Sequence, residues 1–169
     1  MIQTKHLVVL GVGNEIRMDD GAGIRVVERL ERDSSLEHLN ISFKYLNTGG
    51  FDILDEIDGY KRAIIVDAAS MTDQGLKPGE FFYISDLSEY STGHLIGVSS
   101  HGIGVLQILR YAKVGGYRVP HQIEVYGIQV KETGYFSEKL TPEVAEGVEN
   151  LVNILRERIL KVFSDYNEG

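Results

Sequence analysis

The first 25 residues constrain the fold most strongly, because they place a polar, glycine-bearing loop between a predicted strand and a predicted helix. The apolar run from His6 to Leu10 predicts a buried parallel strand. Residues Gly21 to Arg32 predict a helix with one apolar face, formed by Ile24, Val27 and Leu30. The loop between the two elements contains Gly11, Val12, Gly13, Asn14, Asp19 and Asp20. Because open α/β sheets bind ligands at the carboxyl ends of their strands, we expect the functional site at this loop.

The rest of the chain alternates between predicted strands and predicted helices. Further strands are predicted at Ile41 to Leu46, Arg62 to Asp67, Glu80 to Ile84 and Ile123 to Val130, the third of them at a sheet edge. A short helix is predicted at Phe51 to Ile57, and a longer one is predicted to begin near His101 and to be stopped by Gly115 and Gly116. The final helix is predicted to begin at Pro142, with Thr141 as its cap. This alternation predicts a single α/β domain over residues 1–169, a three-layer α/β/α sandwich with a mostly parallel, twisted sheet of about five strands.

The composition argues against several functional classes. The 17 basic and 25 acidic residues give a net charge of −8, which disfavours binding to nucleic acid or to an anionic membrane surface. No apolar stretch approaches the roughly 20 residues that a membrane span needs, and we expect a cytoplasmic protein. The chain has no cysteine, so disulfides, thiolate metal sites and cysteine nucleophiles are excluded.

Candidate metal ligands lie at three equivalent places in the predicted fold, each at the end of a strand or at the start of a helix. They are the acidic pair Asp19 and Asp20 before the first helix, Asp67 where its strand is predicted to end, and His101 at the start of the third helix. Parallel strands bring these positions to one edge of the sheet. Carboxylates together with one imidazole form a plausible open site for a divalent metal. The glycines at positions 11, 13, 49 and 50 allow close approach of the loop backbone.

Each of these features also has a simpler interpretation. Gly11 and Gly13 can begin a dinucleotide-binding motif, although Ile16 occupies the third glycine position and the loop is long for that motif. Asp19 and Asp20 can cap a helix, and Asp67 can be a turn residue at a strand end. His101 can be a helix-start residue with a satisfied ring. Only their combination favours a site.

The stretch from Ser85 to Ser100 has no clean hydrophobic period and is predicted to be a long loop. Long loops in compact domains are usually functional or disordered.

The chain resembles the nickel-iron hydrogenase maturation endopeptidases. Its stretch VLGVGNEIRMDDGAG, residues 9–23, is similar to the N-terminal signature of that family. The resemblance continues in the same order through NTGG at 47–50, IIVDAA around Asp67 and SSHGIGVLQIL around His101. The resemblance also implies a phosphorylase/hydrolase-like fold, which agrees with the three-layer sandwich that the order of strands and helices predicts.

The resemblance implies an endopeptidase that removes a C-terminal peptide from the nickel-loaded precursor of a hydrogenase large subunit. The family's metal-binding and catalytic trio falls on Asp20, Asp67 and His101. The nickel is expected to be carried by the substrate, although other divalent metals can occupy the site, and no organic cofactor is implied. The family also implies a protein that is monomeric when free.

The mechanism is expected to use the nickel centre to place the scissile bond beside the loop, where a metal or a carboxylate activates water. Asp19 is expected either to tune the acidity of Asp20 by like-charge repulsion or to act as the base. Gly13, Asn14, Gly49 and Gly50 are candidates to bind the peptide or to stabilise an oxyanion.

Two competing functions remain open from the sequence. One is a nickel-sensing checkpoint protein that binds the precursor without cutting it. The other is a small-molecule or nucleotide-binding enzyme that uses the first glycine loop, and it requires neither Asp67 nor His101.

Overall fold

The computed structural model describes residues 5–47, 50–70, 75–85 and 104–167. Among them, the strands are β1 (Lys5–Val12), β2 (Ile41–Leu46), β3 (Tyr60–Ala69), β4 (Phe81–Ile84) and β5 (Gln122–Gln129). The helices are α1 (Ala22–Glu31), α2 (Asp52–Ile57), α3 (Val105–Val114) and α4 (Pro142–Asn167), with a short 3-10 helix, Met18–Gly21, directly before α1.

The strands form one sheet in the order β2-β1-β3-β5-β4. The pairs β1–β2, β1–β3 and β3–β5 are parallel, whereas β4 runs antiparallel to β5 at the edge. The predicted α/β sandwich with a mostly parallel five-stranded sheet is therefore confirmed, including the edge position of β4. The carboxyl ends of β1, β2, β3 and β5 lie together at one end of the sheet.

Helices cover both faces of this sheet. The core on one face contains side chains of α1 and α4, and the core on the other contains side chains of α2 and α3. Central strands supply both cores alternately, so Leu7 and Val9 of β1 lie in the first and Val8 and Leu10 in the second. This double burial explains why the central strands are continuously apolar instead of alternating.

Several predicted boundaries differ from the structure. Strand β1 continues through Gly11 and Val12, which were predicted to lie in the loop, because the ladder with β3 extends to Val12. Asp67 lies inside β3, two residues before its end, because the ladder with β5 continues to Ala69. The predicted first helix begins as the 3-10 turn at Met18 and becomes α-helical only at Ala22. Helix α3 begins at Val105, after an extended Gly104, and not near His101. The predicted cap at Ser99 or Ser100 and the loop from Ser85 to Ser100 lie, apart from Ser85, outside the described residues.

The final helix follows its predicted pattern closely. It begins at Pro142, whose fixed φ and missing amide hydrogen suit the first helical position. Its predicted apolar stripe is buried throughout, at Val144, Val148, Leu151, Val152, Leu155, Ile159 and Val162. A search of the helices in the described part of the chain finds none that is both long and apolar enough for a bilayer span.

Candidate active site

Asp67 is a buried acid on a central strand. In the ladder it lies beside Val12 of β1 and Gly127 of β5, and only 7% of its surface is exposed. Burial, and then the nearby charge of Asp20, raise the pKa of Asp67 to about 8, although a hydrogen bond involving the backbone of Ala68 acts in the opposite direction. Its Oδ1 atom is buried and has no hydrogen-bond partner among the described residues. The ionised form of this carboxyl group is therefore only partly compensated, and its neutral form is favoured.

Asp20 reaches the same region from the 3-10 helix and is fully buried. Its backbone is fixed by two hydrogen bonds, from the Asn14 amide to the Asp20 carbonyl (3.2 Å) and from the Asp20 amide to the Arg17 carbonyl (3.2 Å). Gly13 has a φ of 146°, and a Cβ atom there would lie 2.0 Å from the Asp20 carbonyl oxygen. Only glycine fits this position, so Gly13 contributes to the site by allowing its own loop to fold closely around Asp20.

The start of α1 packs directly on the ends of the strands. A Cβ atom at Gly23 would lie 2.3 Å from the Val66 carbonyl oxygen and 2.7 Å from that of Val12. A Cβ atom at Gly11 would meet the Gly23 carbonyl oxygen at 2.9 Å. The glycines of the signature therefore bring the chain's own backbone segments together at the carboxyl edge of the sheet.

Asp19, the neighbour of Asp20, is also fully buried but makes different contacts. Its Oδ2 accepts hydrogen bonds from the amides of Lys131 (3.0 Å) and Glu132 (2.9 Å) and from the Thr141 hydroxyl (2.9 Å). Its Oδ1 accepts a hydrogen bond from the Thr141 amide (2.7 Å). A carboxylate with four donors on its two oxygens is well suited to hold loops together. The expected role of Asp19, either to tune the acidity of Asp20 or to act as the base, stays a prediction.

The other predicted site residues have mixed outcomes. The side chain of Asn14 accepts a hydrogen bond from the Ile16 amide (3.2 Å), which shapes the loop. Gly50 has a φ of 128°, a conformation that favours glycine, and no described residue lies within 4 Å of the place where a Cβ atom would be. Gly49 and His101 lie outside the described residues. The structure therefore brings Asp20 and Asp67 together and does not describe the third member of the predicted trio.

Sequence reasoning missed the involvement of the segment from Lys131 to Thr141. Thr141 was predicted only as a helix cap, and its carbonyl oxygen does accept the first helical hydrogen bond, from Ala145 (2.9 Å). Its hydroxyl, however, donates to Asp19, 122 residues away in the sequence. No local pattern in the sequence signals a contact of this range.

Two buried carboxyl groups suit a divalent cation, because their charges repel each other unless a positive charge lies between them. Within the described residues, no cluster of three or more histidine, aspartate or glutamate side chains has metal-binding geometry. Asp20 and Asp67 thus offer two oxygen-bearing groups and leave further positions around a metal to other ligands.

Two cavities of the structure differ in their position relative to Asp20 and Asp67. One of about 230 Å³ lies at the carboxyl edge, lined by Ala68 and Ala69 of β3 and by residues from Gln129 to Thr133. Another of about 610 Å³ lies at the opposite end of the sheet, lined by Arg62, His121 and Arg158 among others. The smaller cavity begins at the residue next to Asp67, and it lies where parallel α/β sheets bind ligands.

Comparison with known proteins finds related sequences over most of the chain. A family model described as hydrogenase maturation protease matches residues 24–158 of the chain. A putative hydrogenase maturation protease of Methanocaldococcus jannaschii is 31% identical over 163 residues, which cover 92% of this chain and 89% of that protein. The hydrogenase expression/formation protein HupD of Bradyrhizobium diazoefficiens is 27% identical over 146 residues, covering 86% of this chain and 73% of that protein.

The fold also has a solved counterpart. The hydrogenase maturating endopeptidase HybD from E. coli superimposes with a TM-score of 0.68 at 22% sequence identity, and the match covers 93% of both chains. At this identity the likeness concerns the fold, and it supports the arrangement of helices and strands described above.

Proposed function

The chain belongs to the hydrogenase maturation protease family, and from this premise we propose how its site works. The protein is an endopeptidase that processes the precursor of a hydrogenase large subunit. In our proposal, Asp20 and Asp67 bind the nickel that the precursor carries and so place the scissile peptide bond beside the loop. The observation that carries this proposal is the pair of buried carboxyl groups at the carboxyl edge of the sheet.

The electrostatics of Asp67 support recognition of a metal-loaded substrate. With a pKa of about 8, its carboxyl group holds a proton at neutral pH when no cation is near. A divalent cation favours the ionised form, so binding of nickel would release this proton. A site of this kind distinguishes a precursor that contains nickel from one that does not. Nickel is here a part of the substrate, and other divalent metals that favour carboxylates can occupy the same position.

We assign the third ligand position to His101, on the family resemblance. Alternation along β3 supports this choice, because Asp67 shares a face with Ala63 and Ile65, which lie in the same core as Val105 at the start of α3. His101 precedes that helix by four residues in the sequence. Two carboxylates and one imidazole form a ligand set suited to a divalent ion of the nickel type.

The peptide of the precursor has candidate partners in the neighbouring loops. We propose that Gly13, Asn14, Gly49 and Gly50 line its path. The Gly13 and Asn14 amides donate to the Leu46 and Asp20 carbonyls, so we assign stabilisation of a developing oxyanion to the amides of Gly49 and Gly50. The metal or one of the aspartates activates the attacking water, as in an aspartate-dependent endopeptidase. We further propose a cytoplasmic reaction, a free enzyme that is monomeric, and no nucleic-acid or membrane partner.

The nucleotide-binding alternative is disfavoured by the packing of the glycine loop. The space beside Gly13 is filled by the carbonyl of Asp20, and that beside Gly23 by the carbonyls of Val66 and Val12. These contacts use the glycines within the protein. In a dinucleotide site the second glycine of the motif, here Gly13, would instead have to lie open to the pyrophosphate group.

A cleavage assay tests the proposal and separates it from a checkpoint protein that only binds. Precursor large subunit with and without nickel is incubated with the wild-type protein, with an Asp67→Asn variant and with a double variant carrying Asp67→Ala and His101→Ala. Asp58→Asn is the matched control, because Asp58 is half exposed and pairs with Arg118 on the surface. Intact mass spectrometry measures the loss of a C-terminal peptide.

We expect cleavage only of the nickel-loaded precursor, by the wild type and by the Asp58→Asn variant. Both variants at Asp67 should lose at least about 100-fold in rate, since they remove a group that contacts the substrate metal. Metal-dependent binding without any change in mass would support the checkpoint function and refute the proteolytic mechanism.

A further inference from the structure

The four hydrogen bonds to Asp19 join two segments that are far apart in the sequence. The donors belong to residues 131–141, which connect β5 to α4, and the acceptor lies in the turn before α1. Both oxygens of the carboxylate are used, and the side chain is completely buried. Hydrogen bonds to a charged acceptor are among the stronger ones in proteins.

Backbone contacts extend this connection to the residues just before Asp20. The Asp19 amide donates to the Glu132 carbonyl (3.1 Å), and the Met18 amide donates to the Ser137 carbonyl (2.7 Å). The Ser137 amide in turn donates to the Ile16 carbonyl (2.9 Å), which gives a parallel bridge between Arg17 and Ser137. The segment that delivers Asp20 is therefore paired with residues 132–137 along its length.

Met18 shows that this segment needs external support. Its φ of 50° is in the left-handed region, and Met18 is the only non-glycine residue with a positive φ in the described part of the chain. Such a conformation is disfavoured for residues with a Cβ atom and persists where surrounding contacts impose it. Here the contact is the hydrogen bond from the Met18 amide to Ser137. The turn directs two consecutive acids to different places, Asp19 to residues 131–141 and Asp20 to Asp67.

From these contacts we infer that Asp19 is a positioning residue for the maturation reaction: together with the Thr141 hydroxyl and the amides of residues 131–141, it holds Asp20 opposite Asp67. The inference rests on the proposed function of Asp20 and assigns a role to a residue that touches neither the metal nor the peptide. A small displacement of Asp20 would separate it from a metal fixed by other ligands, and misplacement by about 1 Å can reduce an enzymatic rate 100-fold.

Thr141 allows a conservative test, because its hydroxyl contributes one of the four hydrogen bonds. Thr141→Val keeps the shape of the side chain and removes the hydroxyl, whereas Thr141→Ser retains it. Ser35→Ala is the matched control, since the Ser35 hydroxyl donates to the Asp33 carboxylate (2.6 Å) in the loop that follows α1, at the other end of the sheet. Asp19→Asn is a second test. The substitution replaces one carboxylate oxygen with an NH2 group, which cannot accept a hydrogen bond and which therefore faces one of the present donors unfavourably.

The measurements are kcat and KM for nickel-loaded precursor, at a temperature where every variant is folded, and amide hydrogen exchange of the free proteins. We expect Thr141→Val and Asp19→Asn to lower kcat about tenfold or more, with a smaller change in KM, and Thr141→Ser to restore it. Ser35→Ala should keep kcat within about twofold of the wild type. Exchange of the Met18 and Asp19 amides should accelerate in the first two variants and remain slow in the control.

The outcomes separate this inference from the proposed function. If the wild type cleaves and Thr141→Val and Asp19→Asn cleave equally well, the inference is refuted while the function stands. If the wild type does not cleave nickel-loaded precursor, the proposed function fails, and hydrogen exchange still decides whether Asp19 holds the segment that carries Asp20. Unchanged exchange at Met18 and Asp19 in both variants would refute the inference whatever the kinetics.

Discussion

Asp67 shows how a single buried side chain couples the stability of this protein to its function. Its native pKa of about 8 lies above the ordinary value of 3.8, so the native state binds a proton more tightly than the unfolded chain does. The contribution of this group to stability is therefore complete below about pH 4 and is lost as the pH rises through 8. The cause is the cost of placing a second negative charge in a buried site beside Asp20.

Replacing Asp67 by asparagine removes this cost because the amide cannot ionise. We expect metal-free Asp67→Asn protein to become more stable relative to the wild type as the pH rises from 4 to 8, by up to about 1.4 kcal/mol per pH unit. Urea unfolding followed by circular dichroism over this range measures the difference. Asp58→Asn, at an exposed position, should show no such trend. If the wild type instead became more stable relative to Asp67→Asn over this range, the claim that Asp67 is a buried carboxyl group with a raised pKa would be contradicted.

Asp19 and Asp20 illustrate how two identical neighbours acquire different tasks. The sequence presents them as an acidic pair before a helix, and both side chains are fully buried. Asp19 meets four donors from residues 131–141, whereas Asp20 faces Asp67. The Met18 turn creates this difference. A reader of the sequence can find the pair but cannot assign the roles, because the donors come from a segment more than 100 residues later.

At the scale of secondary structure, the junction between α1 and the sheet fixes the site. Helix α1 begins directly over the carboxyl ends of β1 and β3, and the 3-10 turn before it carries Asp20. Gly23 makes this approach possible because the carbonyl oxygens of Val66 and Val12 occupy the space of its missing side chain. Both neighbours are backbone atoms of buried strands and cannot move aside cheaply.

Gly23→Ala should therefore displace α1 and the turn that holds Asp20. We expect a loss of about 1–3 kcal/mol in unfolding free energy, the usual range for overpacking, together with a large loss of precursor cleavage. Gly134→Ala is the control for stability, since its new methyl group would meet only the flexible end of the Glu132 side chain. Urea unfolding and the cleavage assay measure both effects. Equal stability of the two variants would show that α1 tolerates a Cβ atom at position 23.

At the scale of the whole molecule, two cores on opposite faces of one sheet stabilise the fold. Ile159 of α4 lies in the core on the α1 and α4 face, and Ile108 of α3 lies in the core on the α2 and α3 face. Both side chains are completely buried. The strands between them belong to both cores, so we expect the two faces to unfold together.

Truncation of either isoleucine tests this coupling. Ile108→Ala and Ile159→Ala should each lower the unfolding free energy by about 2–5 kcal/mol, because each leaves a cavity in a packed core. Ile154→Ala, at a 45% exposed position on α4, should change it by no more than about 0.5 kcal/mol. Each variant should unfold in a single transition, seen alike by circular dichroism and tyrosine fluorescence. Two separate transitions would contradict the predicted single domain.

The sequence by itself determined the class of fold and the identity of the catalytic candidates. Continuous apolar runs indicated strands buried on both faces, and the helical period of residues 142–162 indicated the final helix, because burial of apolar side chains is encoded locally. The family signature with its glycines and the motif around Asp67 are likewise short stretches that can be recognised in the sequence. The family that these motifs indicated is confirmed by the family match and by the Methanocaldococcus jannaschii relative.

Only the tertiary structure decided how these residues are held and how their charges behave. The ladder that carries β3 past Asp67 to Ala69 depends on β5, some 60 residues later. The raised pKa of Asp67 requires its burial and the approach of Asp20, and the role of Asp19 requires the return of residues 131–141 to the first loop. Local sequence encodes the tendency of a segment to form a helix or a strand, whereas desolvation and hydrogen bonding between distant segments exist only once the chain has folded.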